Sequence, residues 1–388
     1  MKLSVCWIIR HQPLLLINNR ISKCKLMNQQ TKNRTNWLDL KGQKLVISGP
    51  CSAESEEQIL ETARALAQGG KVHYFRAGVW KPRTMPGCFE GIGKLALQWL
   101  KKAKEETGMK ITVEVATPQH VYEAIKAGVD VLWIGARTTV NPFAVQDIAD
   151  AVEGMDIPIF IKNPINPDIK LWMGAIERFR KAGITRIGLV HRGFSYLGET
   201  KYRNRPMWQI PIEMMVTYPD LPMICDPSHI CGNRTMLAEV AQKAIDLNFD
   251  GVMLESHPNP DKAWSDAKQQ VKPKRLLEII NQLVLREARQ DDELIQNNLE
   301  LLRGEIDEID SDLLAILGKR MEVAKRIGYF KKERNITILQ QQRWEEIVKR
   351  FIDIGMKNGL SKEFSVRLIT AIHDESINNQ EKIFNETE

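Results

Sequence analysis

The sequence predicts a (β/α)8 barrel followed by a small all-helical domain. Short β-rich runs recur eight times between residues 45 and 255 of the 388-residue chain, each followed by a stretch with helical apolar spacing. From about residue 294 to 332 there is no proline, and apolar residues recur only at helical spacing. With 43% hydrophobic and 27% charged residues, the chain can bury a large core, which excludes disordered and fibrous proteins.

Eight strands are predicted in order along the barrel. They cover residues 45–48, 72–76, 110–115, 131–134, 158–162, 186–190, 222–226 and 251–255. Their near-continuous apolar cores are typical of parallel strands buried on both faces, and eight such units in succession close a barrel. A doubly wound open sheet is the alternative. The barrel is favoured because side chains capable of chemistry follow the strand ends, where barrels build their active sites.

Changes in this pattern set the domain boundaries. Residues 1–35 lack periodicity and are expected to be a disordered leader or an over-extended start. The barrel domain is predicted over 36–275, a helical linker over 276–295 and the all-helical domain over 296–388.

Three helices are predicted in the last domain, over about residues 294–332, 340–358 and 361–380. The first is too long to bury its apolar stripe against the other two. A second copy of the chain would cover the stripe, so we expect a homodimer through this domain, or a larger assembly.

Composition narrows the location and the partners. Six cysteines are too few for a disulfide scaffold in this chain, which favours reduced thiols and a cytoplasmic protein. No apolar run approaches the roughly 18 residues of a membrane helix. The net charge of +6 suggests anionic partners but does not separate nucleic acid from phosphorylated metabolites.

Four residues of different ligand types are expected to converge, because they follow strands one, seven and eight, which are neighbours in a closed barrel. They are Cys51, His229, Glu255 and Asp266. Thiolate, imidazole and carboxylates together suit one divalent ion of the manganese, iron, cobalt or zinc class. Taken singly, each residue is more often structural, a packed cysteine or a helix cap for example. Cys231 is a weak alternative ligand, and Cys225 is expected in the core.

Six cations follow the ends of strands two, four, five and six. They are Arg76, Lys81, Arg83, Arg137, Lys162 and Arg192. Converging cations repel one another unless an anion lies among them, and guanidinium groups match phosphate and carboxylate oxygens in pairs. The set therefore favours two phosphorylated small molecules. A site sunk in a barrel mouth argues against nucleic acid, and no recognition motif is present.

Five motifs in the barrel half carry a family resemblance. They are Gly49-Pro50-Cys51-Ser52, Lys81-Pro82-Arg83-Thr84, Ile134-Gly135-Ala136-Arg137, Asp226-Pro227-Ser228-His229 and Ser265-Asp266. From about residue 40 to 275 the chain resembles the 3-deoxy-D-arabino-heptulosonate 7-phosphate (DAHP) synthases, in the compact subtype related to the octulosonate synthases. An octulosonate synthase is the alternative, although those enzymes generally lack the Lys-Pro-Arg-Thr run.

The resemblance implies a role for each of these residues. Cys51, His229, Glu255 and Asp266 would bind the metal, and no nucleotide cofactor is expected. Phosphoenolpyruvate would be held by Arg76, Lys81, Arg137, Lys162 and Arg192, with Lys81 also catalytic, and erythrose 4-phosphate by Arg83 and Thr84.

The helical half carries a second set of polar residues. On a helix that turns about 100° per residue, Arg320 and Lys331 share a face, whereas Arg303 points roughly 100° away. Gln340 shares a face with Arg343, and Ser376 shares one with Gln380. Each alone is most often a solvated surface residue. Together, over about residues 295–382, they resemble the all-helical chorismate mutases.

That resemblance implies a chorismate pocket completed by a partner subunit. Arg303 of one subunit would join the other six residues around the substrate, and Arg320, Lys331 and Gln380 would be catalytic. The sequence therefore predicts a bifunctional enzyme of aromatic amino-acid biosynthesis, with feedback control of the barrel through the mutase domain. The alternative is a helical domain that only dimerises and senses a ligand.

Overall fold

The computed structural model describes residues 34–38, 40, 42–81, 87, 89–197, 201–286 and 293–385, without the side chains of 293–298. The chain divides into two compact units between Ala288 and Arg289. Among the described residues, no helix combines the length and apolar character that crossing a membrane requires.

The first unit is a closed barrel of eight parallel strands in sequence order, as predicted, and the open-sheet alternative is wrong. The strands are β1 Leu45–Gly49, β2 Tyr74–Arg76, β3 Lys110–Val115, β4 Val131–Ile134, β5 Ile159–Lys162, β6 Ile187–His191, β7 Met223–Cys225 and β8 Gly251–Glu255. Closure is made by β1 and β8, whose pairing ends with Gly49 opposite Glu255. This register brings the residues that follow β1 beside the end of β8.

Helices cover the outside of the barrel. They are α1 Glu56–Gln68, α2 Lys94–Thr107, α3 Pro118–Lys126, α4 Ala136–Thr139, α5 Pro142–Val152, α6 Ile169–Lys181, α7 Gln209–Thr217, α8 Pro227–Cys231, α9 Leu237–Asp246 and α10 Pro273–Gln282. Side-chain caps fix several of their starts: Ser55 accepts a hydrogen bond from the backbone of Gln58, and Asn141 and Asp168 cap α5 and α6 in the same way.

Strand alternation positions the polar residues of the barrel. Tyr74, Phe160 and Met253 lie in the apolar cluster inside the barrel. Side chains along a strand return to the same face every second residue. Arg76, Lys162 and Glu255, each two residues further on, therefore face the barrel interior at its C-terminal end.

The predicted linker differs from the observed structure. The helical linker expected over 276–295 is not one continuous helix: α10 ends at Gln282, and residues 283–286 lie in no helix or strand. Leu276 and Ile279 of α10 are buried in the barrel core, so this helix covers the barrel. An amphipathic helix has the same sequence pattern whether it packs on a barrel or connects two domains, so the sequence could not distinguish these two positions for α10.

The start of the barrel also differs from the expectation. The predicted leader, residues 1–35, includes Arg34 and Thr35, but the structure describes both as part of the barrel unit. Residues 1–33 lie outside the described residues. Arg34 Nε donates to Asp250 Oδ1 at 2.8 Å, and both side chains are 8% exposed. This ion pair fastens the chain to the turn before β8.

We expect Arg34→Met to lower the free energy of unfolding of the barrel by about 3 kcal/mol, because it leaves a buried carboxylate without its cation. The matched control is Arg286→Met. Arg286 Nε makes the same kind of bond to Asp246 Oδ1 at 2.7 Å, but its side chain is 62% exposed. The control should leave the free energy of unfolding nearly unchanged, because solvent screens an exposed ion pair. Urea unfolding followed by tryptophan fluorescence measures both, and equal losses would contradict the prediction.

The second unit contains the three predicted helices, α11 Glu293–Glu333, α12 Gln341–Lys357 and α13 Lys362–Asn385. α11 packs against α13 near its C-terminal end, where Ala324, Ile369 and Ile372 are buried. Towards its N-terminal end, Leu302, Ile306 and Ile309 are 56%, 57% and 65% exposed. This apolar face is therefore uncovered in a single chain.

Candidate active sites

A cluster of ligand-type side chains lies at the C-terminal mouth of the barrel. Cys51 follows β1, Glu255 ends β8, and Asp266 lies in the loop after β8; their donor atoms all lie within 4.8 Å of one another. Cys51 Sγ is 3.3 Å from Asp266 Oδ2. Glu255 Oε1 is buried and makes no hydrogen bond to the described residues. The cluster thus offers one sulfur and two carboxylate oxygens, and the Glu255 oxygen has no hydrogen bond. This donor set fits a divalent transition metal ion.

His229 lies at the edge of this cluster. Its Nε2 is 3.8 Å from Glu255 Oε1, and its Nδ1 is 3.0 Å from Asp226 Oδ1. Burial lowers the pKa of His229, against the opposing effect of Asp226, so the neutral imidazole is favoured. Neutral imidazole is the ligating form, and a carboxylate on the other ring nitrogen is the usual way to orient it.

The electrostatics favour a cation at the cluster. Burial, followed by the charge of Glu255, raises the pKa of the Cys51 thiol to about 12, against the opposing effect of Lys81. Burial also tends to raise the pKa of Glu255, but His229 and Arg76 outweigh it and hold that pKa below its ordinary value. The thiol thus keeps its proton until a cation displaces it, and metal binding would release that proton.

Three of the predicted cations converge beside the cluster. Lys81 Nζ lies 3.0 Å from Cys51 Sγ, and Arg76 Nη2 lies 3.3 Å from Glu255 Oε1. Lys162 Nζ pairs with Asp226 Oδ2 at 2.8 Å. Arg76 Nε is buried and makes no hydrogen bond to the described residues, so one donor in the mouth is free for an anion.

Of the other predicted cations, the structure describes Arg192 and Arg137. Arg192 Nη1 donates to Asn204 Oδ1 at 2.7 Å. Burial, together with the charges of Arg203 and Arg137, lowers the pKa of Arg192 to about 10 against the opposing effect of Asp226. Arg137 is exposed at the start of α4. Arg83 and Thr84 lie outside the described residues.

Sequence reasoning missed several polar residues of this mouth. Asp226 orients His229 and pairs with Lys162, and its place in the Asp-Pro-Ser-His motif could have indicated it. Glu114 on β3 accepts a hydrogen bond from Trp133 Nε1 at 3.0 Å. Gln269 donates to Glu255 Oε2 at 2.7 Å. Gln269 lies in a polar stretch that gives no sign of its burial.

In the helical unit, three predicted residues, Arg320, Ser376 and Gln380, meet between α11 and α13, and a fourth, Lys331, contacts the loop after α11. Arg320 Nη1 donates to Ser376 Oγ at 2.5 Å, and Gln380 Nε2 donates to the Ser376 carbonyl at 3.3 Å. Lys331 Nζ reaches the Ile338 carbonyl at 2.5 Å. Gln380 Oε1 is buried and has no hydrogen-bond partner among the described residues. This acceptor is free for a ligand.

The other three predicted residues are not brought to this group within one chain. Arg303 pairs with Glu300 at 2.8 Å and is 63% exposed, and Arg343 pairs with Glu346 at 3.0 Å and is 57% exposed. Gln340 is exposed at the start of α12.

Sequence reasoning also missed the aromatic contact in the helical unit. Trp344 stacks on His373 with ring centroids 3.9 Å apart. His373 precedes Ser376 by one turn of α13, so this stack adjoins the Arg320 group.

Comparison with known proteins assigns a family to each half of the chain. Residues 28–289 match the model of the DAHP synthetase I family, and residues 302–381 match chorismate mutase type II. A phospho-2-dehydro-3-deoxyheptonate aldolase of Thermotoga maritima is 30% identical over 238 residues, which cover 61% of this chain and 68% of that protein. A 2-dehydro-3-deoxyphosphooctonate aldolase of Nitratidesulfovibrio vulgaris is 26% identical, covering 63% of this chain and 92% of the relative.

A solved structure agrees as well. The crystal structure of the Thermotoga maritima DAHP synthase superposes with a TM-score of 0.56 at 28% identity, covering 62% of this chain and 68% of that one.

Fold and site together define a two-domain enzyme, an aldolase-like transferase barrel joined to a helical isomerase domain. The chain belongs to the DAHP synthetase I family and carries a C-terminal chorismate mutase type II domain. The expectation of a bifunctional enzyme of aromatic biosynthesis is thereby confirmed.

Proposed function

We propose that the barrel condenses phosphoenolpyruvate with erythrose 4-phosphate to DAHP and inorganic phosphate in a metal-dependent reaction. We also propose that the helical unit rearranges chorismate to prephenate. The observation that carries the first proposal is the Cys51, Glu255 and Asp266 cluster, which lies beside Lys81 and Arg76 at the barrel mouth.

In the barrel, Arg76, Lys81 and Lys162 would hold the phosphate and carboxylate of phosphoenolpyruvate, together with Arg137 and Arg192. Arg83 and Thr84 would take the phosphate of the sugar. A divalent ion held by Cys51, His229, Glu255 and Asp266 would act as a Lewis acid on the sugar aldehyde. The cations also stabilise charge as C3 of the enol attacks that aldehyde and water adds to C2.

In the helical unit, the reaction needs no nucleophile, acid or base, because it is a unimolecular rearrangement. Arg320 is placed to bind a carboxylate of chorismate, and Arg303 of the partner subunit would bind the other. Lys331 would donate from its ammonium group to the ether oxygen, and Gln380 from its amide Nε2, which donates to the Ser376 carbonyl in this structure. Such N–H donors can stabilise the negative charge that develops on the ether oxygen. Gln340, Arg343 and Ser376 would complete the pocket.

The proposed assembly is a homodimer through α11. Its support is the exposed apolar face that includes Leu302, Ile306 and Ile309, together with the isolation of Arg303 from the other predicted residues in one chain. A cytoplasmic location is proposed from the sparse cysteines, since Cys51, Cys225 and Cys231 are free.

The test offers purified enzyme phosphoenolpyruvate with erythrose 4-phosphate or arabinose 5-phosphate, each with defined divalent metals. We expect phosphate release with the four-carbon sugar and its loss after chelation. Release only with arabinose 5-phosphate would support the octulosonate synthase alternative, which the 26% identical relative keeps open.

Feedback control is a further part of the proposal. Prephenate or chorismate bound to the helical unit would lower the synthase rate, because a ligand that binds one state better shifts the equilibrium between states. Synthase assays with saturating prephenate test this, and an unchanged rate would discard it.

A further inference from the structure

Two consecutive glutamines, Gln269 and Gln270, lie directly behind the metal cluster. They follow Asp266 in the loop after β8 and are 1% and 0% exposed. Each side-chain amide donates one hydrogen bond and accepts one. Burying two primary amides is costly unless each polar atom has a partner, so their hydrogen bonds show what the pair holds in place.

Gln269 links the carboxylates of Glu255 and Asp266, directly to the first and through Arg203 to the second. Its Nε2 donates to Glu255 Oε2 at 2.7 Å, and its Oε1 accepts from Arg203 Nη1 at 2.8 Å. The same Arg203 Nη1 donates to Asp266 Oδ1 at 2.8 Å. One oxygen of each carboxylate therefore accepts a hydrogen bond, Glu255 Oε2 from Gln269 and Asp266 Oδ1 from Arg203.

The other two oxygens are not bonded by Gln269 or Arg203, and they face Arg76 and Cys51: Arg76 Nη2 lies 3.3 Å from Glu255 Oε1, and the Cys51 thiol donates to Asp266 Oδ2. Glu255 Oε1 makes no hydrogen bond to the described residues, and Asp266 Oδ2 lies 3.3 Å from Cys51 Sγ. With its second oxygen engaged, each carboxylate offers a single donor atom. Single-oxygen donors beside a thiolate suit a transition metal, whereas calcium favours carboxylates that bind with both oxygens.

Gln270 bonds to the backbone at Cys51 and at Ser265, the residue before Asp266. Its Oε1 accepts from the backbone N–H of Cys51 at 2.9 Å, and its Nε2 donates to the Ser265 carbonyl at 2.8 Å. The hydroxyls of Ser52 and Ser265 lie 2.6 Å apart. Asp266 has a left-handed backbone with φ of 49°, a conformation that non-glycine residues adopt only when their surroundings hold them.

We propose that Gln269 and Gln270 are positioning residues of the metal site: Gln269 restricts Glu255 and Asp266 to one donor oxygen each, and Gln270 sets the distance between Cys51 and Asp266. The inference rests on the proposed metal site. Sequence motifs do not indicate it, because the two amides act through ligands that lie on different loops.

The experiment titrates cobalt(II) into metal-free full-length protein and follows the thiolate-to-cobalt absorption. Gln269→Met and Gln270→Met keep the side-chain length but remove the amide. We expect each to weaken cobalt affinity by about 10–100-fold, the usual effect of losing a group that holds a metal ligand. Gln269→Met should also raise the affinity for calcium relative to cobalt, and Gln270→Met should reduce the thiolate absorption.

The matched control is Gln119→Met. Gln119 Nε2 donates to Glu123 Oε1 at 2.9 Å on the exposed face of α3, far along the chain from the cluster, and this variant should bind cobalt as the wild type does. If a methionine variant does not fold, Gln269→Asn and Gln270→Asn keep an amide with shorter reach and should show the same direction of change.

The outcomes separate the two proposals. Wild-type affinity and an unchanged spectrum in the folded variants would overturn the role of the glutamines while the metal site stands. A wild-type protein without thiolate-to-cobalt absorption would overturn the metal site and this inference together.

Discussion

Cys51→Ala is expected to lower the synthase rate by about 10³-fold or more and to leave the mutase rate unchanged. The thiolate is one of the three closest donors at the barrel mouth, and its loss removes much of the metal affinity. Lewis-acid stabilisation contributes several kcal/mol to such reactions, and about 1.4 kcal/mol corresponds to a tenfold change in rate.

Cys231→Ala is the matched control, since Cys231 is also a buried free thiol near the end of β7 and was the alternative ligand. Phosphate release with defined metals, together with the metal content of each variant, measures the effect. Full activity of Cys51→Ala after chelator treatment would rule out the assigned ligand.

The raised pKa of Cys51 gives this prediction a pH dependence. The thiol has its pKa at about 12 in the metal-free protein, so it carries a proton at neutral pH that a metal must displace. Apparent metal affinity should therefore rise with pH, by up to about tenfold per pH unit for one released proton. In Cys51→Ala, the part of the pH dependence of metal affinity that comes from this proton should disappear.

Arg320→Ala is expected to lower the mutase rate by about 10²–10³-fold and to leave the synthase rate unchanged. Arg320 is partly buried, and Ser376 fixes its guanidinium at 2.5 Å. A charged donor already held in place stabilises a carboxylate and developing charge by roughly 3–4 kcal/mol.

The control is Arg326→Ala, which removes an exposed arginine from the same helix. Loss of chorismate absorbance measures both variants. Equal rates for Arg320→Ala and the wild type would contradict the assignment, and a wild type without turnover would support the ligand-sensing alternative.

Much of the fold could be predicted because it repeats a local pattern. The eight apolar runs reappear as eight strands, and the longest apolar stripe reappears as α11. The segments at the domain junction were predicted less well. α10 covers the barrel although its stripe resembles that of a linker, because an amphipathic helix does not specify which surface buries it.

The candidate sites show the same division. Cys51, Glu255 and Asp266 could be placed together from sequence, since strands one and eight must be neighbours once eight strands close. Asp226, Gln269 and Gln270 could not be assigned, because their role depends on distances between loops and on burial. Arg303 remains separate in one chain, and its proposed role depends on a second copy.

By itself, the sequence determined the order of strands and helices, the residue types gathered at the barrel mouth, and the two family memberships. These follow from periodicity and from short motifs, which act over a few neighbouring residues. Only the tertiary structure decided which oxygen of each carboxylate is free, which cations pair with acids, and which amides hold the ligands in place. The physical reason is that hydrogen bonds and desolvation are set by atoms that barrel closure brings together from opposite ends of the domain.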